Sequence, residues 1–271
     1  EKITSQYIEI LTDYIIFAMD KKEKKVLDTA VKAGSILLSS GAEIYRVEET
    51  MKRIAGYYGL ADNGIFVLSN GIFFTSEDKC YNMYAKVAHI PFGGVHMEKI
   101  TRVNELSREI ERGKYSVEEA WNELIEIEKM GTKCIVETLL AYGFGAACFC
   151  YTFGGNLSDA VAAFISGVVL FCLTLYFEGR EHATSKIIMN ILAGFAATST
   201  GLILYRLGLG DDVNSIVLGG IMPYLPGVSF VIAVRELADS NYIAGSVRMM
   251  DTLLITTGLA IGVASAMFLL L

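Results

Sequence analysis

Two prolines set three residues apart inside an apolar run are the most chemically suggestive feature of this sequence. In GGIMPYLPGVSF, residues 219–230, Pro223 and Pro226 lie at the centre of a hydrophobic stretch covering 213–234. Each proline lacks an N–H and clashes with the carbonyl four residues back, so the carbonyls of Gly219 and Met222 are expected to lose their helical partners. In hydrocarbon, a helix broken at that depth survives only where it is buried in protein or lines a wet cavity. The helix restarting at Gly227 would aim the free N–H groups of Gly227, Val228 and Ser229, at the positive end of its dipole, into such a cavity, where a carboxylate is stabilised. The alternative is a proline-kinked packing helix with no ligand. Thr198, Ser199 and Thr200, with Ser166, Thr256 and Thr257, are the other polar residues at mid-span. They either complete a small polar site or let helices approach closely. The candidate substrate-binding residues are therefore Pro223, Pro226, Gly227, Ser229, Thr198, Ser199 and Thr200.

Ionisable residues inside or beside apolar spans are functional candidates by default. Here they are Glu137, Asp159, Glu178, Arg235, Glu236, Asp239, Arg248 and Asp251, most of them within a turn of a predicted span end. Glu137, Arg235, Glu236, Arg248 and Asp251 are candidates for coupling or gating. The bland reading is ion pairing along a helix, Arg235 with Asp239 at i,i+4 and Arg248 with Asp251 at i,i+3. Glu137 either relays protons or snorkels to the interface. Near the front of the chain, Gly41, Glu43, Arg46 and Glu48 cluster with Glu49 at the start of a predicted helix. Paired carboxylates can do acid/base work, but a solvated helix face explains the cluster as well. His89 and His96 read as loop residues. No catalytic constellation, metal spacing or phosphate loop is visible, so no cofactor is expected.

The elements that must position these residues divide sharply by composition. The 271 residues are 53% hydrophobic with a mean hydropathy of +0.44, too apolar for an ordinary soluble chain. Residues 1–130 hold 38 Lys, Arg, Asp and Glu, whereas 131–271 hold 15. A single soluble globule, a disordered chain and a secreted disulfide scaffold are excluded. The formal charge of −7, with no basic stripe, leaves nucleic acid without an electrostatic footprint. The five cysteines form neither a CxxC pair nor a disulfide framework.

The expected fold class is an α+β cytoplasmic domain followed by an all-α polytopic membrane domain of five transmembrane helices. Residues 1–23 read as an amphipathic segment, 24–130 as the α+β domain and 131–271 as the membrane domain. Without an initiator Met, the natural start is expected to lie elsewhere. In the first half, Val26, Ala30, Ala33 and Leu37, then Ile44, Val47, Met51 and Ile54, mark two helices broken around Ser39, Ser40 and Gly41. A hairpin about Asn70-Gly71, a strand over 81–90, and helices over 99–112 and 117–130, the last with a Ser116/Glu119 capping box, complete it. Apolar spans cover 134–153, 160–177, 187–205, 213–234 and 253–271, each long enough for a hydrocarbon core of about 30 Å. Loops after the second and fourth carry Arg180, Lys186, Arg235 and Arg248, whereas those after the first and third carry only Arg206. That asymmetry puts the N-terminal domain in the cytoplasm and the C-terminus outside. Gly258 and Gly262 form a GxxxG helix-contact face.

Two stretches carry a recognisable pattern: GSILLSSGAEIYRVEETMKRIA, with Gly41, Glu43, Arg46 and Glu48, and MPYLPGVSFVIAVRELADSNYIAGSVRMMDTLL, with Pro223, Pro226, Gly227, Arg235, Glu236, Gly245 and Arg248. Together they resemble the threonine/serine exporter family, over about residues 25–271. The first is similar to the signature opening that family's cytoplasmic domain, the second to its proline-rich span, Arg-acid pair and Gly-x-x-Arg. The resemblance implies export of small amino acids or, in some relatives, dicarboxylates such as succinate. It also implies the split form of the family, a larger subunit working with a small membrane protein of four or five spans. The pattern departs at Asn241, usually acidic, and Ile232, usually Asn. Some descriptions of the family give the soluble domain a hydrolase-like role, but these residues supply no nucleophile with a base. The leading expectation is a secondary transporter subunit in the cytoplasmic membrane, exporting a small carboxylate-bearing metabolite and able to form a higher oligomer. The rivals are a membrane-anchored enzyme working around Glu43, Arg46 and Glu48, and a non-transporting scaffold or sensor.

Overall fold

A computed structural model describes residues 21–60, 63–77, 83–90, 94–131, 135–178 and 186–270. The expected amphipathic segment up to residue 20, together with Cys80, Cys134 and Arg180, lies outside the described residues. The chain is mostly helical with one small sheet, and it forms two compact units. The first runs to Gly131 and also takes in Val231–Arg248, while the second comprises Thr132–Phe230 and Met249–Leu271.

In the first unit, α1 (Lys21–Ser39) and α2 (Ile44–Tyr57) precede a meander of β1 (Asn63–Leu68), β2 (Gly71–Glu77) and β3 (Met83–His89), then α3 (Met97–Glu111) and α4 (Val117–Lys129). The sheet is antiparallel in the order β1-β2-β3. The 3.6-spaced apolar residues of α1 and α2 form one buried cluster with Ile72 and Phe74 of β2 and with Val103, Ile110, Leu124 and Ile127 of α3 and α4. Each large side chain so removed from water stabilises the fold by about 1.5–3 kcal/mol. Ser116 and Glu119 form the expected capping box at the start of α4. The hairpin turn lies one residue earlier than expected, at Ser69-Asn70, because Leu68 pairs with Gly71. This register sets Phe66 opposite Phe73, with ring centroids 6.2 Å apart. A turn at Asn70-Gly71 would have put Thr75 opposite Phe66 and lost that cross-strand pair.

The apolar helices are α5 (Ile135–Thr152), α6 (Leu157–Glu178), α7 (Lys186–Arg206), α8 (Val213–Ile221), a 3₁₀ turn at Met222–Tyr224, α9 (Gly227–Ala238) and α10 (Tyr242–Leu270). Four of them, α5, α6, α7 and α10, are long and apolar enough to cross a membrane. The α8–α9 pair, bent by 62° at the break, makes a fifth if counted as one span. Helix α10 begins at Tyr242, eleven residues before its expected start. Its 29 residues reach about 43 Å at 1.5 Å each, well beyond a 30 Å core. Its first turns, up to Arg248, belong to the first unit.

Small residues let the second unit's helices meet closely. Gly194 of α7 lies against the Leu259 carbonyl of α10, and Gly258 and Gly262 of α10 lie against Asn190 and Ile191 of α7. The GxxxG pattern is thus a contact face. Asp159, which reads in sequence as a rim charge, is buried. It accepts hydrogen bonds from the backbone N–H groups of Asn156, Asp211 and Asp212 at 2.6–3.0 Å, so it ties the α7–α8 loop to the start of α6. At the same end of α7, Arg206 donates to the Leu270 carbonyl, joining the ends of α7 and α10.

Between α9 and α10 the chain turns through Ser240, whose φ of 65° lies in the left-handed region. Ser240 N–H donates to Leu237 O and Asn241 N–H to Glu236 O, the pairing with which helices commonly end on glycine. Ser240→Gly removes the Cβ penalty at the expense of unfolded-state entropy and is expected to stabilise the protein by about 0.5–1 kcal/mol. Thermal unfolding in detergent checks this, and a lower midpoint would contradict it.

Candidate functional site

The break between α8 and α9 is built by the two prolines, but its polar groups are better satisfied than proline chemistry alone suggests. The Gly219 carbonyl accepts from Met222 N–H, and the Met222 carbonyl from Leu225 N–H at 3.1 Å. The chain tightens to i→i+3 bonding and so recovers the acceptors that i→i+4 bonding loses at proline. Gly227 N–H is not free either, since it donates to Leu225 O at 2.8 Å. The expectation of three free amides is therefore corrected to two. Among the described residues, the N–H groups of Val228 and Ser229 have no acceptor, while Phe230 N–H returns to Pro226 O. Pro223 packs over Gly145 of α5, whereas Gly227 and Val228 are exposed. The start of α9 is thus not enclosed by its own unit.

One side of the break is seated on α7. Tyr224 OH, within the 3₁₀ turn, donates to Asn190 Oδ1 at 3.1 Å, and Ile221 and Tyr224 pack against Leu170, Ala193 and Ala197. Ser166 of α6 donates to the Ala197 carbonyl at 2.6 Å, directly beside Gly220. The three adjacent hydroxyls of α7 separate in role. Thr200 is satisfied by the Ala196 carbonyl of its own helix. The hydroxyl oxygens of Thr198 and Ser199 are buried with no partner among the described residues, a condition that costs about 1–3 kcal/mol per group unless water or ligand supplies one. No described contact joins Thr198, Ser199 or Thr200 to Gly227 or Ser229. Sequence reasoning missed Asn190 and Tyr224, although Asn190 is the one amide side chain in α7 and Tyr224 lies between the two prolines. Glu137 is exposed in the first turn of α5 and Asp251 is exposed on α10.

The strongest polar constellation lies in the first unit, where the loop between α1 and α2 meets the α9–α10 corner. Gly41, at φ 80°, turns the chain out of α1, and the Gly41 and Ala42 carbonyls accept from Arg248 Nη1 and Nη2 at 3.1 and 2.8 Å. Three residues later, Ile44 N–H, at the start of α2, donates to Glu236 Oε1 at 2.7 Å. Glu43 does not cap its own helix, so Glu236 supplies the cap from 192 residues away. The charges match the backbone: a guanidinium meets the carbonyls of the loop that follows α1 and a carboxylate meets the amide that opens α2. Glu236 and Arg248 are only 2% and 8% exposed. Asn241 Nδ2 donates to Glu236 Oε2 at 3.0 Å, and a side chain at Gly245 would strike the backbone N of Leu237.

An outer, wetter layer covers this pair. Glu43 takes Arg235 Nη1 on one oxygen at 2.7 Å and Arg46 Nε on the other at 2.9 Å. Both arginines also donate to Tyr45 OH and lie over its ring. The pairs expected from helix spacing are displaced accordingly. Arg235 reaches Asp239 only at 4.0 Å, and Arg248 is oriented by the loop carbonyls rather than by Asp251. A solvated helix face describes Glu49, which holds Arg53, but not Glu43. Glu48 accepts from Val67 N–H of β1 at 3.3 Å.

These two stretches, far apart in the chain and joined at one clamp, are the ones that carry a family pattern. A family model for threonine/serine exporters matches residues 28–270. The chain belongs to the threonine/serine exporter family. It is 26% identical over 245 residues to a threonine/serine exporter of Corynebacterium glutamicum, an alignment covering 88% of this chain and 50% of that protein. A "Probable threonine/serine exporter" of Mycobacterium tuberculosis is 22% identical over 90% of this chain and 46% of its own. A "Pheromone-regulated membrane protein 10" of Pichia sorbitophila is 25% identical over 84% of this chain and 23% of its own length. The chain thus spans half or less of these relatives. No solved structure matches it. Within this exporter-family chain, the Asn241 amide faces the Glu236 carboxylate, a position where a second carboxylate would be repelled.

Proposed function

We propose that this chain is one half of a membrane exporter for a small carboxylate-bearing metabolite of the threonine or serine kind. The observation that carries the reading is the broken α8–α9 helix pair in a chain of this family. The amides of Val228 and Ser229, at the positive end of α9, suit a carboxylate. Ser229, the buried hydroxyls of Thr198 and Ser199, and the Tyr224–Asn190 pair suit the hydroxyl and ammonium of such a substrate. The relatives' additional length, on the same polypeptide or on a separate small membrane subunit, would cover the exposed Gly227, Val228, Phe230 and Val231 and close the pathway. With the α8–α9 pair counted as one span, the chain crosses the bilayer five times. The clamp holds Arg235 and Arg248 on the side of the first unit, and α7 and α10 end together at Arg206 and Leu270. This supports a cytoplasmic first unit. No catalytic step is assigned to that unit. With no nucleotide motif, coupling to protons or to the membrane potential is the fitting energy source.

The test is efflux of labelled threonine, serine and succinate from vesicles holding the complete transporter. Threonine or serine transport is expected. Replacing both Pro223 and Pro226 by alanine restores the i→i+4 ladder and is expected to reduce transport about tenfold or more, equivalent to about 1.4 kcal/mol. A folded complex that carries none of the three, or a double variant that transports at the unaltered rate, would overturn the reading.

A further inference from the structure

We propose that the Glu43–Arg235 contact is a latch that opens and closes during transport, with the buried Glu236 bond to α2 as the pivot beneath it. The inference deepens the exporter reading and rests on it. The two layers of the clamp differ in the way such a device requires. Glu236 is buried, and its oxygens are occupied by Ile44 N–H and Asn241 Nδ2. Breaking that layer would strand a buried charge. The Arg235 side chain is instead 50% exposed, against 12% for Glu43, and an ion pair with one partner open to water is weaker and more readily exchanged than a buried one.

Both partners of the outer contact also have somewhere else to go. Arg235 has Asp239 one turn along its own helix, at 4.0 Å. Glu43 keeps Arg46 at 2.9 Å. Swinging Arg235 from Glu43 to Asp239 therefore leaves no charge alone, and gives up only its hydrogen bond to Tyr45 OH and its place over that ring. The element that would move is anchored at Ala233 and Glu236, which are buried, and is exposed at its start. Helix α9 leaves a non-helical joint at Leu225 and Pro226, where Leu225 is extended, and a side chain at Gly227 would meet nothing within 4 Å. Its far end carries Arg235 and Glu236. A small rotation about Glu236 thus displaces the Val228 and Ser229 amides, which links the latch to the proposed carboxylate site.

The test bridges the latch shut. Glu43→Cys and Arg235→Cys are introduced into the complete transporter with its native cysteines, five of them in this chain, replaced by alanine, and the pair is joined by a bis-methanethiosulfonate reagent of ion-pair length. Bridging is expected to cut efflux of the substrate carried by the unaltered protein at least about tenfold, with recovery in dithiothreitol, because a conformational gate then limits turnover. A bridged protein, verified by mass, that transports at the unbridged rate overturns the latch, since a static contact tolerates the bridge. Should the cysteine pair be inactive before bridging, Asp239→Asn decides. A severalfold lower Vmax with unchanged KM supports the latch, and an unchanged Vmax overturns it. Absence of transport by the unaltered protein counts against the exporter reading instead.

Discussion

Glu236→Ala is expected to destabilise the protein by about 3–5 kcal/mol, the range for removing one partner of a buried charged network. Three consequences add up. Ile44 N–H loses the acceptor that replaces a conventional N-cap. Asn241 loses its side-chain acceptor at the corner. Arg248, buried and bonded to the adjacent Gly41 and Ala42 carbonyls, loses the neighbouring negative charge. Glu236→Gln retains an oxygen for Ile44 and is expected to cost about 1–2 kcal/mol, a lost charge-assisted bond without an empty site. Because Glu236 and Arg248 grip the same short loop, combining Glu236→Gln with Arg248→Met should cost less than the two separately. Denaturant unfolding in mixed micelles measures each. An alanine variant as stable as the parent would show that the corner is held by packing alone.

Gly262→Val is expected to cost about 3 kcal/mol or more, at or beyond the usual upper end for overpacking. A Cβ at Gly262 would overlap the Ile191 carbonyl and stand 2.7 Å from Phe195 N. Both are backbone atoms of a helix, so no side chain can rotate away and α7 must separate from α10. That separation also opens the contacts of Gly194 with the Leu259 carbonyl and of Gly258 with Asn190. Asn190 is the partner of Tyr224, so the variant should impair transport beyond its loss of stability. Gly227→Ala is the control: its Cβ meets nothing within 4 Å, and stability should stay within about 1 kcal/mol of the parent. Equal stability of the two variants would refute the close α7–α10 seam.

The legible parts of this protein are those governed by near neighbours in the chain. Periodicity in α1 and α2, the Ser116 capping box and the helix break at Pro223 and Pro226 each follow from contacts within about four residues. The hairpin was legible to within one residue, because turn chemistry favours Asn70-Gly71 while the pairing of Phe66 with Phe73 requires Ser69-Asn70. The count of free amides at the break was overestimated for a similar reason: proline removes an i→i+4 bond, but whether i→i+3 bonding replaces it depends on how the chain turns. Thr198, Ser199 and Thr200 are alike in type, and only packing separates the one satisfied by its own helix from the two that are not.

The sequence by itself determined where the apolar spans lie, where one breaks and which residues form the two family stretches, since these depend on composition and local sterics. Only the tertiary structure decided what the charged residues do. Helix spacing offers Arg248 an acid three residues on, yet the chain brings it two carbonyls from 206 and 207 residues away. It likewise offers Arg235 an acid at i+4, yet Glu43 stands closer. A charge leaving water settles where the most complete set of partners is already fixed. For Arg248 that set is the buried backbone of the loop between two helices, which is assembled only once the chain has folded.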